Sequence, residues 1–247
     1  MERLQNEFGG EMNRVAGAFA IGAVMVAAAA LAQPAPTPQP TAQDRVGMLK
    51  AWLAQSQAQL RNYQWVETTV VAKSGEEKSR KIENCYYGVD GALVKVPIEN
   101  DKSSEPRGPL MHHIAEKKKE ELTQYMDDAA ALVHTYIPPV PELIAATEQA
   151  GNFALNIVDP GHTVRLEFKS YHKNGDMLSV DIDLPTNRLL GVHVASYLDS
   201  PDDAVQLDST MGVLPDGTLY VAKSVLYAQA KDVTVTVENN GYRRNGE

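Results

Sequence analysis

The sequence predicts a mainly β protein of the α+β class, a large curved antiparallel sheet forming an incomplete β-barrel covered by about three helices. Three observations carry this. Period-two alternation dominates, as in Leu178, Val180, Ile182 and Leu184 set against Ser179, Asp181 and Asp183, which gives one buried and one wet face. Turn signals recur at short, regular spacing, including Asp159-Pro160-Gly161, Lys173-Asn174-Gly175-Asp176, Pro185-Thr186-Asn187 and Pro215-Asp216-Gly217, so neighbouring strands pair as a meander. Only three stretches show helical spacing, and a wide sheet with few helices curls because its strands twist.

The chain opens with an export signal. Val15 to Leu31 carries no charge and closes on Ala30-Leu31-Ala32, a small-x-small cleavage pattern, followed by Gln33-Pro34-Ala35-Pro36. Residues 1–32 are therefore expected to be a cleaved signal peptide. A retained membrane anchor is the competing reading, since about 20 apolar residues span a bilayer, but the Ala and Gly content inserts weakly. The stretch before it holds Glu2, Glu7 and Glu11, whereas Met12-Asn13-Arg14 looks like an ordinary basic start, so translation is expected to begin at Met12. There is no cleavage-site Cys and no Arg-Arg pair, which favours a product free of lipid and the general secretory route. The expected location is periplasmic or secreted, with no membrane span after cleavage.

Residues 33–43 form a Pro, Ala, Thr and Gln linker, and residues 44–247 one half-barrel domain. Asp44 to Arg61 reads as a helix with Val46, Leu49, Leu53 and Leu60 on one face. Strands follow at Tyr63–Val71 and Arg80–Tyr87, joined through the turn Lys73-Ser74-Gly75-Glu76. Asp90-Gly91 is a hairpin signal, leading to a third strand at Leu93–Ile98. A polar loop from Glu99 to Pro109 precedes a long helix over about Ile114–Tyr136, where Leu122, Tyr125, Met126, Ala129, Leu132, Val133 and Tyr136 repeat at helical spacing. Pro138-Pro139 ends it. A short helix covers Pro141–Ala150. Seven strands are then readable, at Phe153–Val158, Thr163–Ser170, Met177–Leu184, Leu189–Tyr197, Ala204–Val213, Thr218–Ala228 and Val233–Glu238.

Charge and motifs narrow the chemistry. The net charge is -9, and removing Glu2, Arg3, Glu7, Glu11 and Arg14 leaves 21 basic and 29 acidic side chains. An acidic surface argues against nucleic acid as a partner, because phosphate binding needs basic patches. Lys117-Lys118-Lys119 is flanked by Glu116, Glu120 and Glu121, a solvated helix face. No phosphate loop, nucleophile elbow or zinc-protease motif occurs, so no cofactor and no catalytic residue is expected. His112, His113, His134, His162, His172 and His193 lack zinc-ligand spacing. Asp199, Asp202, Asp203 and Asp208 cluster without the glycine turn of a calcium loop. Asp181 and Asp183 share a strand face roughly 7 Å apart, which suits an acid/base pair or simply a wet face. Cys85, the only cysteine, cannot form an internal disulfide. It reads as a buried apolar residue or, alternatively, a reactive thiol.

The most suggestive feature is apolar. Trp65 and Tyr86 in the early strands, with Tyr125, Met126, Ala129, Val133 and Tyr136 on the long helix, are the candidates for an apolar cavity between sheet and helix. Ordinary core packing is the alternative.

This organisation resembles the periplasmic lipoprotein carriers and receptors of the LolA/LolB kind and the related lipid-sensing domain of the RseB/MucB type. The residues that carry the likeness are the export signal, the helix Asp44–Arg61 running into Tyr63-Gln64-Trp65-Val66-Glu67-Thr68, the two mid-chain helices and the strand meander. Cys85-Tyr86-Tyr87-Gly88-Val89-Asp90-Gly91 and Asn187-Arg188-Leu189-Leu190-Gly191 look like hallmarks of a bacterial exported family. The resemblance implies an incomplete β-barrel closed by helices and a lipid or lipoprotein ligand. Arg80 sits in an early strand but no surrounding motif equates it with the arginine that latches the carriers' helices. Three functions follow: a binding protein whose long helix moves to admit an acyl chain or lipoprotein; an envelope protein-interaction or stress-sensing module with a self-filled cavity; or a hydrolase using Asp181/Asp183 or a histidine.

Overall fold

The computed structural model describes residues 42–99 and 109–246. The expected signal peptide, its Met12 start, nearly all of the linker and most of the Glu99–Pro109 loop lie outside the described residues, as do the side chains of the lysine run. Three α-helices and ten strands follow in the order α1 (Ala42–Leu60), β1 (Tyr63–Lys73), β2 (Glu76–Tyr87), β3 (Leu93–Glu99), α2 (Pro109–His134), α3 (Pro141–Gln149), β4 (Phe153–Asp159), β5 (Thr163–Lys169), β6 (Met177–Asp183), β7 (Arg188–Tyr197), β8 (Ala204–Val213), β9 (Leu219–Ala228) and β10 (Val233–Arg244). No described helix is long and apolar enough to cross a membrane.

The strands form one antiparallel sheet, ordered β3-β2-β1-β10-β9-β8-β7-β6-β5-β4. It is a curved sheet that does not close into a barrel, as the alternation predicts. Sequence neighbours pair within β1–β3 and within β4–β10, while β3 and β4 form the two edges; the seam joins β10 to β1. The local chemistry is visible in the turns. Ser74 and Gly75 both take positive φ, 52° and 78°, the backbone of a two-residue hairpin turn whose twist matches its strands. This is why β1 and β2 run on almost without interruption.

One face of the sheet carries the helices; it is called the inner face below. Strand register fixes which residues share it: Thr69 stands beside Val237, Ser224, Ser209, Val192, Val180 and Leu166 in successive strands. The helices pack against β5, β8 and β9, and α1 also meets β1 and α3. Beneath them Phe168, Leu178, Val180, Val205 and Ile144 are wholly buried, with Leu166 and Tyr136 at 1–2 % exposure. Each such side chain contributes about 1.5–3 kcal/mol by leaving water, so this half of the inner face is a packed core.

Several element boundaries depart from the sequence reading: α2 runs Pro109–His134 rather than Ile114–Tyr136, which leaves Tyr136 just past its end, and β2 begins at Glu76 rather than Arg80. β3 accommodates Pro97 because it is an end strand, where a missing N–H need not break a ladder. β10 runs six residues beyond Glu238, where the strand reading ended, through Asn239-Asn240-Gly241. The register with β1 shifts between Gln64 and Val66. Gly241 at φ 64° absorbs the extra residue as a β-bulge that only a residue without Cβ adopts freely.

Candidate functional site

The seven candidates from the sequence are divided by the fold into four groups. Ala129, Val133 and Tyr136 of the α2 region are buried in the main core. The Tyr136 hydroxyl donates to Asp176 Oδ2 at 2.5 Å and lies 2.8 Å from Ser196 Oγ. Burial, and then the hydrogen bond to Asp176, push its ionisation well above the ordinary phenol value, so it stays a neutral donor. Asp176 also accepts the backbone N–H groups of Tyr171, His172 and Lys173 at 2.6–3.0 Å. The end of the long helix is thereby tied to the β5–β6 turn. Tyr125 and Met126 are half-buried. The Tyr125 hydroxyl donates to Asp203, and Lys231 Nζ sits 5.4 Å from the ring centre.

Trp65 belongs to a separate cluster on the inner face, over β10, β1, β2 and β3. Its ring stacks on Tyr242 at 5.5 Å and meets Tyr87 at 5.8 Å, while Tyr242 meets Tyr220 at 4.4 Å. The indole N–H donates to Asn239 Oδ1 at 3.0 Å, and Asn239 Nδ2 donates to the Val221 carbonyl. Tyr86, in contrast, lies on the opposite face, because its neighbours Cys85 and Tyr87 point inward beside Lys95 and Leu93. Sequence reasoning missed Tyr242 and Tyr220. Tyr242 follows an Asn-Asn-Gly stretch, and only the bulge brings it over Trp65.

Beside these rings the inner face turns polar. Glu67 and Glu83 stand directly opposite one another in β1 and β2, at 8 % and 4 % exposure. Like charges in cross-strand pairs destabilise a sheet, and buried charges need partners. Lysines supply them: Lys95 Nζ lies 2.6 Å from Glu67 Oε1, and Lys81 Nζ 2.7 Å from Glu83 Oε1. Burial alone would lower the Lys95 pKa, but its bond to Glu67 and the neighbouring acidic charges together raise it. Cys85 lies among these groups, fully buried. Burial, then the Glu67 charge, raise its thiol to about 11, which leaves it protonated and unreactive at neutral pH. The result is an amphipathic floor, aromatic at one end and zwitterionic at the other.

Two further groups bear on chemistry. On the opposite face Arg165 makes a bidentate pair with Asp181 at 2.7 and 2.8 Å. His193 Nε2 lies 3.0 Å from Asp181, and His193 Nδ1 lies 2.7 Å from Asp208. Burial would raise the Asp181 pKa, but the bonds from Arg165 and His193 dominate and hold it far below the carboxylate range. Asp183 instead accepts from Thr186 across the β6–β7 turn. Asp181 and Asp183 therefore serve separate local networks. Arg80 pairs with Glu77 on the surface. A half-open polar pocket of about 270 Å³ lies between α1 and the β8–β9 turn, lined by Trp52, Gln55, Gln59, Asp216, Thr218 and Arg244 among others.

No protein-family model matches the sequence, and no curated protein matches it. A solved structure, the crystal structure of a DUF1329 family protein from Desulfovibrio piger ATCC 29098, is similar with a TM-score of 0.40 at 11 % identity. The match covers 83 % of this chain and 92 % of that one.

Proposed function

We propose that this is an exported, non-enzymatic binding protein that holds an apolar ligand, an acyl chain or lipoprotein, against the inner face of its sheet. The carrying observation is the amphipathic floor over β10, β1, β2 and β3, beyond the part of the sheet filled by α2 and α3. Tyr87 and Tyr242 are half-buried there, with Tyr220 at its border on β9, leaving aromatic surface for a chain, and Lys81 and Lys95 stand beside it for a polar head. Each methylene buried gains about 0.8 kcal/mol, so a short chain suffices for reversible carriage. The uncharged stretch Val15–Leu31, closing on Ala30-Leu31-Ala32, supports the periplasm or exterior as the place of action.

The test uses intrinsic fluorescence. The chain has two tryptophans, so Trp52→Phe leaves Trp65 as sole reporter. Titration with oleate or with phospholipid vesicles is expected to give a saturable change in Trp65 emission, and mass spectrometry of protein purified from an envelope fraction to reveal bound lipid. Unchanged emission together with lipid-free protein would overturn the reading.

One observation favours a second reading. The inner face beneath α2 and α3 is filled by the protein's own side chains, as expected of an envelope interaction or stress-sensing module. Saturable lipid binding reported by Trp65 removes that alternative.

A further inference from the structure

We propose that the edge of β4, unpaired among the described residues, is a self-association site, at which a second copy of this chain adds its own β4 antiparallel to the first. An end strand presents alternate backbone N–H and C=O groups with no partner in the sheet. On β4 these groups belong to Phe153, Leu155 and Ile157. Asn152 stands next to Phe153, which opposes Phe168, and the Asn152 carbonyl accepts the Lys169 N–H at 2.9 Å. In an antiparallel ladder the bonded pairs alternate. Ala154 and Asn156 therefore bond inward to β5, and the odd-numbered residues between them turn their backbone outward.

The side chains agree with the backbone. Leu155, Ile157 and Val158 are 56 %, 67 % and 54 % exposed, large apolar groups of a kind that water disfavours. Proteins guard free edges with charge and proline. The far edge, β3, has both, in Lys95 and Pro97. Residues 153–158 of β4 have neither.

The strand is also complementary to itself. With a two-fold axis at Leu155, Leu155 faces Leu155 of the second copy and Phe153 faces Ile157 in both directions. All three outward backbone positions then pair, and the facing side chains on the inner face are all apolar. Charge is complementary as well. Asp159 and Lys169 oppose Thr163 and Met177 and share the other face of the sheet. In this register the Asp159 of one copy approaches the Lys169 of the other across two strand spacings, roughly 10 Å between backbones, within reach of the two side chains. For a chain of net charge -9, an uncharged edge flanked by an opposite pair is where a second copy meets least repulsion. Because the contact is isologous and the β3 edge is guarded, association stops at a dimer. Strand pairing alone is a small interface by the standard of stable complexes, so the dimer is weak and dissociates on dilution.

The experiment is sedimentation velocity on the full chain expressed with its export signal, over a wide concentration range, paired with hydrogen exchange. The expected result is a concentration-dependent monomer–dimer equilibrium, with amide exchange at Phe153, Leu155 and Ile157 slowing as the dimer forms and the β3 amides unaffected. Leu155→Lys places two like charges at the axis on an exposed site, and is expected to shift the protein to monomer with an unchanged far-ultraviolet circular dichroism spectrum. A monomer at every concentration overturns the proposal. So does a dimer whose β4 amides exchange unchanged, or one that survives Leu155→Lys.

Discussion

His193 sits between two carboxylates and an arginine, and the signs of its coupling can be worked out. The bond to Asp181 raises its pKa above 6.5, against the opposing pull of burial. A raised folded-state pKa gives stability that is fully present below the unfolded value and is lost as pH rises through the folded value. Asp181 works in the opposite sense. Its folded pKa lies below 3.8, so its contribution is present above that value and fades in acid as pH falls through the folded pKa. The cluster therefore stabilises most between about pH 4 and 6.5. Comparing urea midpoints of wild type and His193→Gln is expected to give the largest difference in that window and a shrinking one at pH 8 and above. A difference that grows with rising pH would contradict the assignment. Asp181 and Asp183 share a strand face in the sequence, and the structure gives each its own partners. Two carboxylates two residues apart look like a pair, but each is consumed by the strand or turn beside it.

The long helix was the clearest periodic signal in the chain, and its apolar face does bury Ala129 and Val133. What spacing alone does not reveal is how its end is held. Tyr136 lies just past α2, and its hydroxyl ties that end to Asp176 and Ser196. Removing one donor from a buried acceptor costs about 1–3 kcal/mol. Tyr136→Phe is expected to lower stability by that order in a denaturant titration, and to speed amide exchange in the last turn of α2. An unchanged midpoint would show that water replaces the hydroxyl. The Tyr125–Asp203 and Tyr136–Asp176 bonds together anchor the C-terminal half of α2 and the residues just past it.

At the level of the whole sheet, the meander, the strand count and the three helices were legible because period-two alternation and turn residues are local signals. The seam between β10 and β1 was not, since pairing across most of the chain length leaves no local trace. The same gap hid the site. Trp65 was visible as an aromatic in a strand, but Tyr242 and the opposed Glu67 and Glu83 acquire meaning only through register. β10 is thus a central strand bonded on both sides, with Val235 between Val71 and Leu226. Proline there removes a ladder bond and leaves a carbonyl without its partner, which costs about 1–3 kcal/mol, whereas an edge tolerates it. Val235→Pro is expected to destabilise the fold by that amount in urea, and Val96→Pro in β3 by clearly less. Equal losses would refute the central placement.

That placement also orders events in the life of the chain. β10 is synthesised after every other element of the sheet, yet it is the piece that joins β1–β3 to β4–β9. Until it emerges, the two strand groups have no ladder between them and the sheet cannot be completed. Completion of the sheet as one hydrogen-bonded unit therefore waits on the last of its strands.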